Sequence, residues 1–215
     1  MKINPRRVLM SVLGVACGAV SVGFFKLASF GVDPFQAFMS GIDQLIPIEF
    51  GTLYVIVNAC LLLFSLVFDR HYIGLATFIN LFLLGYVVQF SYDTLCMLCP
   101  EPTMVIRCAS FAFGFVLLCL ASAIYMTADL GVSTYDAVAL ILVNKWHVGP
   151  FKYIRIYTDL ACVVLGVVLF LLGGGSPAGI LAFAGAGTIL SAFFMGPLID
   201  FFNRTVAIPM LGENK

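Results

Sequence analysis

Few side chains in this sequence can do chemistry, and the sharpest is Asp159, a carboxylate about two turns into an apolar run over residues 151–172. A charge at that depth is expensive, so it points first to binding of a proton, an ion or a solute. Arg155 stands four positions earlier; on a helix that spacing puts both on one face, where they pair with each other or share a substrate. Six further residues come from a duplicated stretch, Phe30-Gly31-Val32-Asp33-Pro34-Phe35-Gln36-Ala37 and Leu130-Gly131-Val132-Ser133-Thr134-Tyr135-Asp136-Ala137. Each copy reads as a bend followed by a helix start. Asp33 can cap with Pro34 at the first helical position, and Ser133 can cap with Asp136 three residues on. A helix that starts inside a membrane aims unpaired N–H groups and its positive end at whatever lies there, which suits an anion or a dehydrating polar solute. Gly31, Asp33, Gln36, Gly131, Ser133 and Asp136 are therefore candidate site residues; the bland reading makes Asp33 and Ser133 plain caps on helices lying at the membrane surface. Asn58 and Asn80 join the candidates as polar residues at depth. With Thr77, Gln89, Thr188 and Ser191, they either line a pathway or bond between helices, the second being commoner.

Other chemistries find little support. Cys96-x2-Cys99 lacks a four-ligand set, since His71 and His147 lie in other loops, and free thiols are expected there. Gly173-Gly174-Gly175-Ser176-Pro177 has no lysine and reads as a turn. No hydrolase elbow or zinc-protease motif occurs, so neither an enzyme, a cofactor nor a metal is expected. Eleven basic and eleven acidic residues give no electrostatic footprint for nucleic acid.

The elements that must position these residues are set by composition: 62% hydrophobic against 10% charged describes an all-α polytopic membrane protein whose main partner is the bilayer. Stretches able to cross a ~30 Å hydrocarbon core fall at residues 8–30, 51–69, 72–92, 104–128, 151–172 and 177–202. The first, behind Lys2, Arg6 and Arg7, is too long for a signal peptide and reads as an uncleaved span. The segments started by the duplicated stretch, 33–46 and 133–146, reach only ~21 Å as helices. A second motif repeats as well: Gly74-x2-Thr77-x2-Asn80-x4-Gly85-x3-Gln89 lines up with Gly185-x2-Thr188-x2-Ser191-x4-Gly196-x3-Asp200, and Asn58 falls opposite Asp159. Two repeats follow, 1–102 and 103–215, each of three spans and one short helix. If the short helices re-enter, each half crosses three times and the halves are inverted; if they cross, the halves are parallel. Basic residues do not choose, because either arrangement leaves nine of eleven inside. Length favours re-entry, and both arrangements put the N- and C-termini in the cytoplasm.

These motifs, with Gly74-Leu75-Ala76-Thr77-Phe78-Ile79-Asn80 before Gly85, resemble the YitT/YczE-like bacterial membrane proteins over nearly the whole chain. Members commonly show a Gly-x-Ser-Pro-Trp-Asp kind of pattern and a later Gly-Thr-Asn pattern. Here the first copy keeps Pro34 but has Phe35 and Gln36, and the second keeps Asp136 but has Thr134 and Tyr135. The resemblance implies a small polytopic protein of the bacterial plasma membrane and speaks to architecture more than to function. The expected function is that of a secondary transporter or channel for a small polar or anionic solute, bound near the midplane between the short helices. The alternative is a non-transporting membrane subunit that docks a partner protein or lipid; a homo-oligomer or a partner membrane protein is compatible with either. A transporter needs Asn58, Asn80, Asp159 and the short-helix starts to converge on one cavity, whereas a docking subunit can bury them separately.

Overall fold

Long apolar runs fold here as helices because, in hydrocarbon, a segment must satisfy its own backbone N–H and C=O groups. The computed structural model describes residues 5–46, 48 and 50–212, with the side chains of residues 50, 51, 75, 78–86 and 182 outside the description. Ten α-helices are described: α1 Pro5–Ala28, α2 Pro34–Leu45, α3 Phe50–Phe68, α4 Leu75–Leu98, α5 Met104–Ala128, α6 Thr134–Asn144, α7 Phe151–Leu172, α8 Pro177–Phe183, α9 Ala186–Phe202 and α10 Ile208–Leu211. A 3-10 turn at Arg70–Tyr72 leads into α4, and a π-helical turn at Asn203–Ala207 joins α9 to α10. Among the described residues there is no strand. Four stretches, Pro5–Ala28, Met104–Ala128, Phe151–Leu172 and Ala186–Leu211, are long and apolar enough to cross a membrane. The chain is an integral membrane protein in contact with the lipid bilayer.

Two of these, α1 and α5, pack face to face and run antiparallel. Arg7, in the first turn of α1, donates to Ala128 O at 3.3 Å and pairs with Asp129 at 3.4 Å just past the end of α5. At the opposite end Arg107, in the first turn of α5, donates to Ala28 O at 2.8 Å and Ser29 O at 3.1 Å. Small residues permit the approach: a Cβ at Gly14 would meet Tyr125 and Ala121, and one at Gly114 would meet Phe24 and Ser21.

Each short helix lies beside a long helix from the other half of the sequence and runs in the same direction as it. The backbone of α2 touches α7 where Gly41 and Ala37 meet Gly166, and where Gln44 meets Gly173. In turn α6 follows α3, from Thr134 beside Asn58 to Lys145, whose ammonium donates to Phe68 O. The end of α3, the start of α7 and the start of α1 share one end of the molecule, as the contacts of His71 with Asp129 and a cavity lined by His71, Asp129 and Phe151 show. Consequently α2 runs away from that end and α6 runs towards it, and their N-termini meet in the interior.

The segment 177–202, expected as one helix, is broken at Ala184–Gly185. The cause is a bond made to another part of the chain. Phe183 O accepts from Val32 N at 3.2 Å and from Thr188 Oγ1 at 2.9 Å, while Gly187 N donates to Phe30 O at 2.9 Å. The same pattern appears ahead of α6, where Val132 N donates to Tyr72 O at 2.9 Å and Ala76 N to Leu130 O at 3.0 Å. Thr188 Oγ1 reaches Val32 O at 2.6 Å, and Thr77 Oγ1 reaches Val132 O at 2.8 Å. Gly31 and Gly131 occupy φ of 109° and 102°, a conformation that L side chains rarely adopt, so glycine is required at both bends.

Candidate functional site

The site is built where α2 and α6 begin. Asp33 Oδ1 accepts from Phe35 N and Gln36 N, both at 3.1 Å, which caps α2 with Pro34 in its first turn. Ser133 caps α6 by accepting from Asp136 N at 3.1 Å, and its hydroxyl donates to Asp136 Oδ2 at 2.6 Å. The rings of Phe35 and Tyr135, which occupy the same place in the duplicated stretch, stack with centroids 5.1 Å apart. That stack joins the two helix starts.

One turn into α7, Arg155 is 6% exposed and reaches three elements. Its Nη1 pairs with Asp136, its Nε donates to Asp159 Oδ2 at 3.2 Å, and its Nη2 lies 3.7 Å from Met195 Sδ on α9. The guanidinium sits 4.6 Å from the Tyr135 ring centroid, in cation–π contact. Asp159 is 0% exposed and takes its second hydrogen bond from Tyr135 OH at 2.5 Å, an oxygen to which Cys162 Sγ in turn donates at 3.6 Å. Beside this network, Thr134 donates to Asn58 Oδ1 at 2.6 Å, and Asn58 donates to Tyr54 O at 2.8 Å. Every carboxylate oxygen of Asp136 and Asp159 thus has a donor, the condition for carrying charge at this depth. Asp33 lies within electrostatic reach of both Arg155 and Asp136, and no partner is recorded for its second oxygen among the described residues.

A cavity of about 430 Å³ opens beside this network, lined by Phe25, Lys26, Gly31, Asp33, Gln36 and Tyr92 among others. Lys26 is exposed at its mouth, with its ammonium 5.6 Å from the Tyr92 ring centroid. A fully buried hydroxyl, Ser191 Oγ, has no hydrogen-bond partner among the described residues. It stands one turn from Thr188, which holds Val32, and one turn from Met195, which touches Arg155. At that spacing the three share a face of α9.

The residues read from sequence therefore fall into three groups. Ser133, Asp136, Arg155 and Asp159 belong to one hydrogen-bonded network, and Asn58 bonds beside it to Thr134 at the start of α6. Gly31, Asp33 and Gln36 line the cavity. Gly131 forms the bend before α6, where a Cβ would come within 2.8 Å of Thr77 Oγ1. Asn80 lies in α4 with its side chain outside the described residues. The ion pair between Arg155 and Asp159 is present at i, i+4. Tyr135, Thr134 and Met195 were not among the sequence candidates; the hydroxyl that separates Tyr135 from its counterpart Phe35 was the available signal. Cys96 and Cys99 are free thiols, and among the described residues no group of three or more His, Cys, Asp or Glu side chains could hold a metal.

Comparison with known proteins adds family and membrane location. The sequence profile of a "Family of unknown function (DUF6198)" matches residues 5–204. An "Uncharacterized protein" of Haemophilus influenzae is 25% identical over 199 residues, covering 92% of this chain and 81% of its own. An "Uncharacterized membrane protein YczE" of Bacillus subtilis is 26% identical over 174 residues, covering 80% of this chain and 73% of its own. No solved structure matches.

Proposed function

We propose that this chain, which belongs to the DUF6198 family and is a YczE-like membrane protein, is a secondary transporter for a small polar solute. The observation that carries this reading is the meeting of two oppositely directed half-helices inside the molecule, joined by a ring stack, with a charged network at the start of one and a cavity at the start of the other. Paired half-helices of this kind are how many carriers build a central site. Asp136, Arg155 and Asp159 gather around the start of α6 and Asp33 lines the cavity, which supports the carrier reading; Asn58 and Asp159 are buried outside the cavity lining, so convergence on one cavity is met at the start of α2 alone. The site is no enzyme in this reading: Asp136 and Asp159 are held by donors at both oxygens rather than aimed at a shared reacting atom.

The finer architecture belongs to the same proposal. Residues 1–102 and 103–215 are inverted repeats of three spans and a short helix, with α3 and α4 as further spans. Antiparallel α1 and α5 support this, because halves of four spans would run them parallel. The exchanged bonds of Thr77 and Thr188 support it too, since each motif clamps the bend of the opposite half. Met10 of α1 and Leu211 of α10 share one core cluster, which supports putting the start of α1 and the end of α10 at one face, read as the cytoplasmic face of a bacterial plasma membrane. The cavity then opens outward. A free anion is the less suitable cargo, because Asp33 and Asp136 already answer both helix dipoles.

Proteoliposomes incubated with a defined mixture of amino acids, sugars and organic acids test the reading when their contents are quantified by mass spectrometry. Accumulation above empty liposomes that disappears in Asp159→Asn is expected. No accumulation of any component, or equal accumulation in the variant, overturns it.

A further inference from the structure

We infer that the cavity beside α2 selects a small zwitterion, with its ammonium end seated on Asp33 and its acidic end turned to Lys26. This inference rests on the carrier reading of the same site and names its cargo.

Charge at the floor comes first. Asp33, Asp136 and Asp159 bring three carboxylates, against which stand Arg155 and two helix N-termini worth roughly half a positive charge each. The balance is about one negative charge, and it falls to Asp33, because Asp136 and Asp159 are each held by Arg155 and a hydroxyl. Asp33 spends one oxygen on the cap, and no bond is recorded for the other among the described residues. The carboxylate lines a cavity, so that oxygen is open to a ligand. An ammonium has three N–H groups and no acceptor, which matches the open carboxylate oxygen of Asp33.

Lys26 sets the other end. No ion pair joins it to Asp33; its ammonium rests over Tyr92 at 5.6 Å and stays exposed. The cavity therefore runs from a positive mouth to a negative floor between the apolar walls of Val22, Phe25 and Leu118. Such a field repels a plain cation at the entrance and a plain anion at the floor, and it aligns a molecule carrying both.

The test is thermal unfolding of the purified full chain in detergent, with glycine, 4-aminobutyrate and 6-aminohexanoate as probes against butylammonium and butyrate. Binding to the folded state raises the midpoint. At least one amino acid of the series should raise it more than both single-charge analogues. Asp33→Asn, which keeps a capping side chain, should weaken that amino acid about tenfold or more, a loss of about 1.4 kcal/mol. Lys26→Ala should bind butylammonium at least as well and lose the preference for the zwitterion. A series in which no amino acid exceeds both analogues overturns the inference, as does a preference that survives Lys26→Ala or a shift unchanged by Asp33→Asn. Zwitterion binding without accumulation in liposomes would sink the carrier reading alone.

Discussion

Arg155 is the residue on which the interior depends, because it neutralises two carboxylates from different helices while being itself almost wholly buried. Removing one partner of a buried charge pair leaves the others uncompensated, at a cost of about 3–5 kcal/mol. Arg155→Met should lower the unfolding midpoint more than any other single change in the network. Tyr135→Phe deletes one hydrogen bond to a carboxylate and should cost about 1.5–3 kcal/mol. Combined with Asp159→Asn it should fall short of the sum of the single effects, since both act on one bond; additive losses in thermal or denaturant unfolding would show that Tyr135 OH and Asp159 do not interact. Part of this was legible beforehand. The i, i+4 spacing puts Arg155 and Asp159 on one helix face, which offered their pairing as one of two readings. Asp136 as a third partner was not legible as such: it appears as a capping-box acid, and only the packing of α6 on α7 brings it to the guanidinium.

At the scale of elements, the close approach of α2 to α7 holds the cavity floor in place. A Cβ on Gly166 would lie 2.5 Å from Ala37 O, whereas one on Gly18 would find only Ala121 Cβ at 3.8 Å. Gly166→Leu should therefore separate α2 from α7 and cost about 1–3 kcal/mol, as overpacking does. Gly18→Ala should be neutral or stabilising by up to ~1 kcal/mol, since it gains helix propensity without a clash. Equal destabilisation by both would mean that helix approach at Gly166 carries no special load. Helix starts were readable from capping residues, and Asp33 and Ser133 cap where their sequence says. The break at Ala184–Gly185 was not, because its cause is the backbone of Phe30 and Val32, some 150 positions away. The two repeated motifs were recognisable as repeats, yet nothing local reveals that each clamps the other half's bend.

For the molecule as a whole, composition pointed to membrane residence, and antiparallel α1 and α5 support the proposed inversion of the halves, between which charge counting does not choose. The central claim is that the floor at Asp33 and Gln36 is a passage and not a blind vestibule. Its most direct test replaces the seven native cysteines, introduces Gln36→Cys, and follows reaction with a membrane-impermeant cationic thiol reagent in right-side-out and inside-out vesicles. A carrier must expose that position to each face in turn, so reaction is predicted in both preparations, faster from the face on which the cavity opens. Reaction from one face only, or protection in both, would contradict it.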